Sequence, residues 1–178
     1  MLLKIVQTGD PVLRETARPL TPADLATAEI QQLIELMRET MRDAPGVGLA
    51  APQVGLPLQL AVIEDVGESE EQERKPVPFH VIASPRLTLG AESVEHHEGC
   101  LSVEGFQALV PRARSVQVEA LDHRGKAVKI AASGWYARIL QHEIDHLEGT
   151  LYIDRMKTRT FTSNRNLARY GEDGVNPR

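Results

Sequence analysis

The segment 133–149, SGWYARILQHEIDHLEG, constrains this chain more than any other. Ser133 is a good N-cap and Gly149 a good C-terminal stop, so the spacing predicts one helix between them. Trp135, Ile139, Leu140, Ile144 and Leu147 fall on several sides of that helix. A helix apolar nearly all round belongs inside a domain. The same segment carries His142, Glu143, Asp145 and His146. Burying two imidazoles and two carboxylates is costly unless they are paired or hold a metal. A fold for this chain must therefore wrap strands around one helix and give its polar groups partners.

The strands are legible in outline. Residues 58–63 form a short apolar run after Pro57, and 80–83 resumes strand character before Ser84 and Pro85. Val116, Val118 and Ala120 alternate with Gln117, Glu119 and Leu121. Beyond a turn at 122–125, Val128 and Ile130 alternate with Lys129, the pattern of a β-hairpin. Thr21 as N-cap, Pro22 at the first helical position and Asp24 in the first turn open a helix over 21–41. Its apolar face runs through Leu25, Ile30, Leu33, Ile34, Met37 and Met41. Residues 64–78 are acidic and read as a solvated excursion. The expected class is α+β, with antiparallel or mixed strands packed around a central buried helix and one N-terminal amphipathic helix. At 178 residues the chain fits one domain, read as 1–170 with a disordered tail over 171–178.

Two histidines at i and i+4 lie on one helical face, so His142 and His146 can converge on one cation. Glu143 follows the first of them, where its carboxylate can reach a water beside that cation. This is the HExxH arrangement of metal-assisted hydrolases. Two histidines are one ligand short of the usual catalytic set. Cys100, the sole cysteine, is the leading third ligand, in Glu98-Gly99-Cys100-Leu101-Ser102; His96 and His97 are rivals. A third segment, GVGLAAPQ over 46–53, is small enough for a peptide substrate to approach as an added strand. Gln53 there can offer its amide to a developing oxyanion.

These three segments resemble the peptide deformylase family, which carries Gly-x-Gly-x-Ala-Ala-Pro-Gln, Glu-Gly-Cys-x-Ser and Gln-His-Glu-x-Asp-His in that order. Here they stand at 46–53, 98–102 and 141–146. The similarity runs from about Asp10 to Phe161. The segments 133–139 and 159–161 resemble the branch that includes organellar enzymes. The resemblance implies removal of the formyl group from N-formylmethionine of nascent peptides, with release of formate. It implies that Cys100, His142 and His146 bind one divalent metal. Ferrous iron is the family's association, and Zn2+, Ni2+ or Co2+ replace it on purification. It further implies that Glu143 is general base and acid for the attacking water, and that the Leu101 N–H and Gln53 hold the oxyanion. Glu98, Arg112 and Asp145 are expected behind the ligands, Asp145 orienting a histidine. Val47, Gly48, Gly99, Trp135 and Ile139 are expected to receive the substrate, with the stem of Arg138 at the rim. The chain departs from the family at Gln107, where Arg is frequent, and at Ala83-Ser84 before Pro85, where Asn usually precedes the proline.

Composition narrows the partners. Lys and Arg total 20 against 25 Asp and Glu, and a net charge of -5 argues against coating nucleic acid or anionic lipid. One cysteine permits no intramolecular disulfide and fits a reducing compartment. Residues 1–7 lack a signal-peptide core, and no apolar run approaches membrane-spanning length, so a bacterial cytoplasmic location is expected. Arg155, Lys157, Arg159, Arg165 and Arg169 form a local basic stretch, for which the resemblance to deformylases implies a contact with the ribosome. Monomer and homodimer both remain open. The rival functions are an HExxH metallopeptidase, which needs a downstream third ligand, and a metal-binding module without catalysis.

Overall fold

The computed structural model describes residues 1–175. Its architecture is α+β, and every pairing between its named strands is antiparallel. A five-stranded sheet contains β1 (Gly48–Ala50), β2 (Leu60–Asp65), β3 (Val77–Leu89), β6 (Ser115–Leu121) and β7 (Ala127–Ser133), in that spatial order. A three-stranded sheet contains β4 (Ser93–Cys100), β5 (Val103–Ala113) and β8 (Thr162–Ser163). The expected hairpin is β6–β7, in register from Ser115↔Ser133 to Leu121↔Ala127.

The larger sheet is covered on both faces, which explains why β2 reads as a continuous apolar run. Side chains alternate along a strand. Ala61 and Ile63 therefore join a cluster with Leu140, Ile144 and Leu147 of α3 (Gly134–Leu147). Leu60 and Val62 join one with Ile34, Met37 and Met41 of α2 (Ala28–Asp43). A smaller cluster of Val103, Ala108, Val110 and Tyr152 lies under the β4–β5 hairpin. Helix α3 starts after Ser133 and ends at Leu147, with Gly149 at φ 74°, a left-handed turn that glycine takes without penalty.

Several expectations need correction. The N-terminal helix is two. Helix α1 (Pro22–Leu25) has the expected capping box from Thr21 and Asp24, but Thr27 then caps α2 afresh by accepting from Ile30 N at 3.4 Å. Residues 66–76 are not merely a solvated excursion: Asp65, 2% exposed, is gripped by Arg74 through two bonds of 2.7 and 2.8 Å. Glu73 in turn accepts from Arg114 at 2.9 Å. Strand β3 does not stop at Ser84 but passes through it. Ser84 takes φ 48°, and its hydroxyl both donates to Leu20 O and accepts from Leu20 N at 2.7 Å. Two of the five basic residues are already used, Arg155 on Asp145 and Lys157 on Glu95. Beyond residue 170, α4 (Asn164–Val175) continues past a kink at Gly171, and the last part of the proposed tail, 176–178, lies outside the described residues.

Candidate metal centre and substrate cavity

Helix α3 and the end of β4 bring three donor atoms together. Cys100, His142 and His146 offer ligand atoms all within 4.8 Å of one another. Cys100 Sγ lies 3.3 Å from His146 Nε2, which lies 3.3 Å from His142 Nε2. His142 Nδ1 donates to Glu98 Oε2 at 3.0 Å, which leaves its Nε2 lone pair aimed at the other two donors. One thiol and two imidazoles, largely shut off from water, suit a borderline cation such as zinc or ferrous iron. His96 and His97 stay outside this group: His96 packs its ring edge against Trp135, and His97 pairs with Glu172.

Charge is balanced behind the ligands by a buried network. Arg112 donates to both oxygens of Glu98 at 2.9 Å and also reaches Asp145. Glu98 is 5% exposed and Arg112 4%, so this is no surface ion pair. Burial opposes ionisation of Glu98, but hydrogen bonds from His142 and Arg112 outweigh it and hold the carboxylate far below its usual range. Asp145 does not orient a histidine. Arg112 and Arg155 saturate it, because its carboxylate points from α3 toward β5 and the turn at 152–155. Arg138 lines the cavity as expected, but its guanidinium turns away from solvent and is buried against Glu98.

Glu143 is 3% exposed, and its Oε2 has no hydrogen-bond partner among the described residues. Burial pushes its pKa up to about 7. Burial likewise drives His146 well below its ordinary value. Against the pull of burial, contacts with Cys100 and Glu98 raise His142. The Glu143 carboxylate lies against Gly48, where a Cβ would stand 2.5 Å from Glu143 Cδ and closer still to Oε1.

A cavity of about 770 Å³ opens over these groups. Val47, Gly48, Gly99, Leu101, Trp135 and Ile139 line it, as do Gln53, Cys100, His142 and Glu143. Gln53 is 1% exposed; its Oε1 accepts from Ala50 N at 2.9 Å, and its Nε2 points at Cys100 Sγ, 3.5 Å away, and Ser102 Oγ, 3.3 Å away. It is a buried, held donor rather than an exposed turn residue. Gln107 pairs with Gly99 across the hairpin and also lines the cavity. Glu148, the one acidic residue soon after the motif, is exposed and outside the group.

Two positioning residues escaped the sequence. Gln141 stitches α3 to β5 through Ala113, accepting from its N at 3.0 Å and donating to its O at 2.8 Å. Ser102, wholly buried, donates its N–H to Cys100 Sγ at 3.4 Å and shares Gln53. Both stand inside the conspicuous segments, and that position was the only available signal.

Fold and site together define a class: an α+β chain with a Cys-His-His donor set and a buried carboxylate beside it, the equipment of a metal-assisted hydrolase. Residues 2–162 match the family model for polypeptide deformylases, and the chain belongs to that family. It is 49% identical over 173 residues to peptide deformylase 1A, chloroplastic, of Solanum lycopersicum, covering 92% of this chain and 62% of the tomato protein. The chain thus spans less than two thirds of that relative's length. Among solved structures, a peptide deformylase from Legionella pneumophila is 40% identical, with a TM-score of 0.77 over 97% of this chain and 94% of that one. The class I type b peptide deformylase of Acinetobacter baumannii, solved with Met-Ala-Ser bound, gives a TM-score of 0.83 at 31% identity, covering 88% and 99%.

Proposed function

We propose that this chain hydrolyses the formamide of N-formylmethionine at the start of newly made polypeptides, releasing formate and a free amine. The observation that carries this is the buried, unpartnered Glu143 carboxylate beside the Cys100–His142–His146 cluster, in a cavity bordered by the edge strand β1. Family membership supports it, as does the Met-led tripeptide bound to the Acinetobacter relative.

Cys100 Sγ, His142 Nε2 and His146 Nε2 would hold the metal. A divalent ion bound there supplies Lewis acidity, which makes a water acidic enough to lose a proton near neutrality and polarises a carbonyl. Glu143 Oε2 takes the proton from the attacking water. The same carboxyl, once protonated, can return that proton to the departing amine nitrogen. Gln53 Nε2 and the Leu101 N–H donate to the oxygen that gains charge. Strand β1 is an edge of its sheet, so an extended peptide can pair beside it while Gly48 and Gly99 permit close approach. The methionine side chain occupies the part of the cavity lined by Val47, Trp135 and Ile139.

This reading makes α3 the central helix of one catalytic domain, 1–170. Its metal is ferrous iron, with zinc, nickel and cobalt as substitutes, and its place is the bacterial cytoplasm. Among the described residues no helix is long and apolar enough to cross a membrane. Of the basic stretch, Arg159, Arg165 and Arg169 remain for a ribosome contact. Oligomeric state, monomer or homodimer, does not enter the chemistry.

The test is formate release from a formyl-Met tripeptide by iron-loaded protein prepared without oxygen. Formate and the free tripeptide are expected, with the acetylated tripeptide left intact. Cleavage of an internal peptide bond without formate would overturn the proposal in favour of a metallopeptidase.

A further inference from the structure

Arg138 has no task in this scheme, yet it is among the most fully engaged side chains present. It is 2% exposed. Its Nη1 donates to Glu98 Oε1 at 2.7 Å and to Val110 O at 2.9 Å, and its Nη2 donates to Val94 O at 2.9 Å. All three acceptors belong to β4 and β5, the hairpin in which Cys100 ends β4. Arg138 itself stands on α3, four residues before His142 and therefore on the same helix face. Both side chains reach one carboxylate: Arg138 holds Oε1 of Glu98 and His142 holds Oε2.

Charge balance does not call for this second arginine, since Arg112 already grips both oxygens of Glu98. Arg138 differs from Arg112 in where it comes from. Arg112, on β5, holds Glu98 within the hairpin and meets α3 at Asp145, beside His146, whereas Arg138 stands on α3 one turn before His142 and holds both strands of the hairpin there. It spans the two elements whose separation sets the distance between Cys100 and His142.

We propose that Arg138 is a positioning residue for the metal: it clamps Glu98 and the carbonyls of Val94 and Val110 to α3, and so slows release of the ion. This rests on Cys100, His142 and His146 being the ligands. Partners behind metal ligands are worth about ten- to a hundredfold in metal affinity. The sign separates positioning from charge. Removing a cation near the site favours a bound cation electrostatically, so a charge effect would tighten binding; loss of positioning loosens it.

Wild type, Arg138→Met and Arg138→Lys are loaded with Co2+, and transfer of cobalt to a chromophoric chelator is timed beside the visible spectrum and thermal unfolding. Arg138→Met is expected to release cobalt about tenfold faster or more, with a shifted ligand-field band. Arg138→Lys, which keeps the charge and one short reach, is expected to fall between it and wild type. Release from folded Arg138→Met at the wild-type rate or slower would overturn the proposal, even with a lowered unfolding temperature. Should Arg138→Met not fold, Arg138→Lys decides: severalfold faster release supports the clamp, and the wild-type rate overturns it. Wild-type protein that retains no cobalt overturns the ligand assignment itself.

Discussion

Substituting Gly48 by alanine directs a small steric change at one catalytic atom. The added Cβ would stand 2.5 Å from Glu143 Cδ and nearer to Oε1. The backbone of Gly48 cannot retreat, because β1 is paired with β2 from Gly48↔Ile63 to Ala50↔Ala61 and its residues are buried. The carboxylate can move, since it ends a flexible side chain and no partner holds its Oε2. Relief of the overlap needs a displacement of about 1 Å, and misplacement on that scale costs on the order of a hundredfold in rate. That corresponds to about 2.7 kcal/mol of barrier. The stability cost should stay near about 1 kcal/mol, the low end for overpacking, or an unfolding temperature lower by about 2–4 °C. Gly48→Ala should therefore bind metal fully, unfold almost like wild type and release formate about a hundredfold more slowly. A kcat within about threefold of wild type, at full metal content, would refute the idea that Gly48 fixes this carboxylate.

Replacing Gln53 by alanine removes a buried donor aimed beside Cys100, and kcat should fall by about 10²–10³ with KM little changed; a change confined to KM would assign Gln53 to ground-state binding instead. Arg74→Ala leaves the buried Asp65 carboxylate unpaired, which should cost about 3 kcal/mol and lower the unfolding temperature by about 6–12 °C, as calorimetry can check. His80 is held below its ordinary pKa by burial, although Nδ1 meets Pro78 O at 2.9 Å. The unfolded chain therefore takes up this proton first, and stability is lost as pH falls through the ordinary imidazole range. Urea midpoints between about pH 7.5 and 5.5 should decline less steeply for His80→Gln than for wild type, and equal slopes would contradict the assignment.

What the sequence disclosed follows from how local each signal is. The α3 boundaries and the two histidines on one face depend only on residues 133–149, and α1's capping box only on Thr21 to Asp24. The break before α2 was masked because a single apolar stripe appeared to run on. The five-residue step from Leu25 to Ile30, off helical spacing, and the capping hydroxyl of Thr27 mark it in retrospect. Strand β4, SVEHHEGC, does not look like a strand that buries anything. Its buried residues His97 and Glu98 are polar because they meet partners from other elements: Glu172 of α4, His142 and Arg138 of α3, and Arg112 of the neighbouring strand β5. The same long range hid the partners of Arg138 and Asp145: side-chain type and spacing say that a charge is present, and only the tertiary fold says which charge it meets.

The most direct test of the central claim pairs metal content with turnover in one sample of wild type and one of Glu143→Ala. Glu143 is not among the three converging donors, so the variant should retain its ion as wild type does. As the proton carrier it should be indispensable, and formate release from a formyl-Met peptide should fall by about 10²–10⁴. Undiminished formate release from metal-loaded Glu143→Ala would contradict the account at its core.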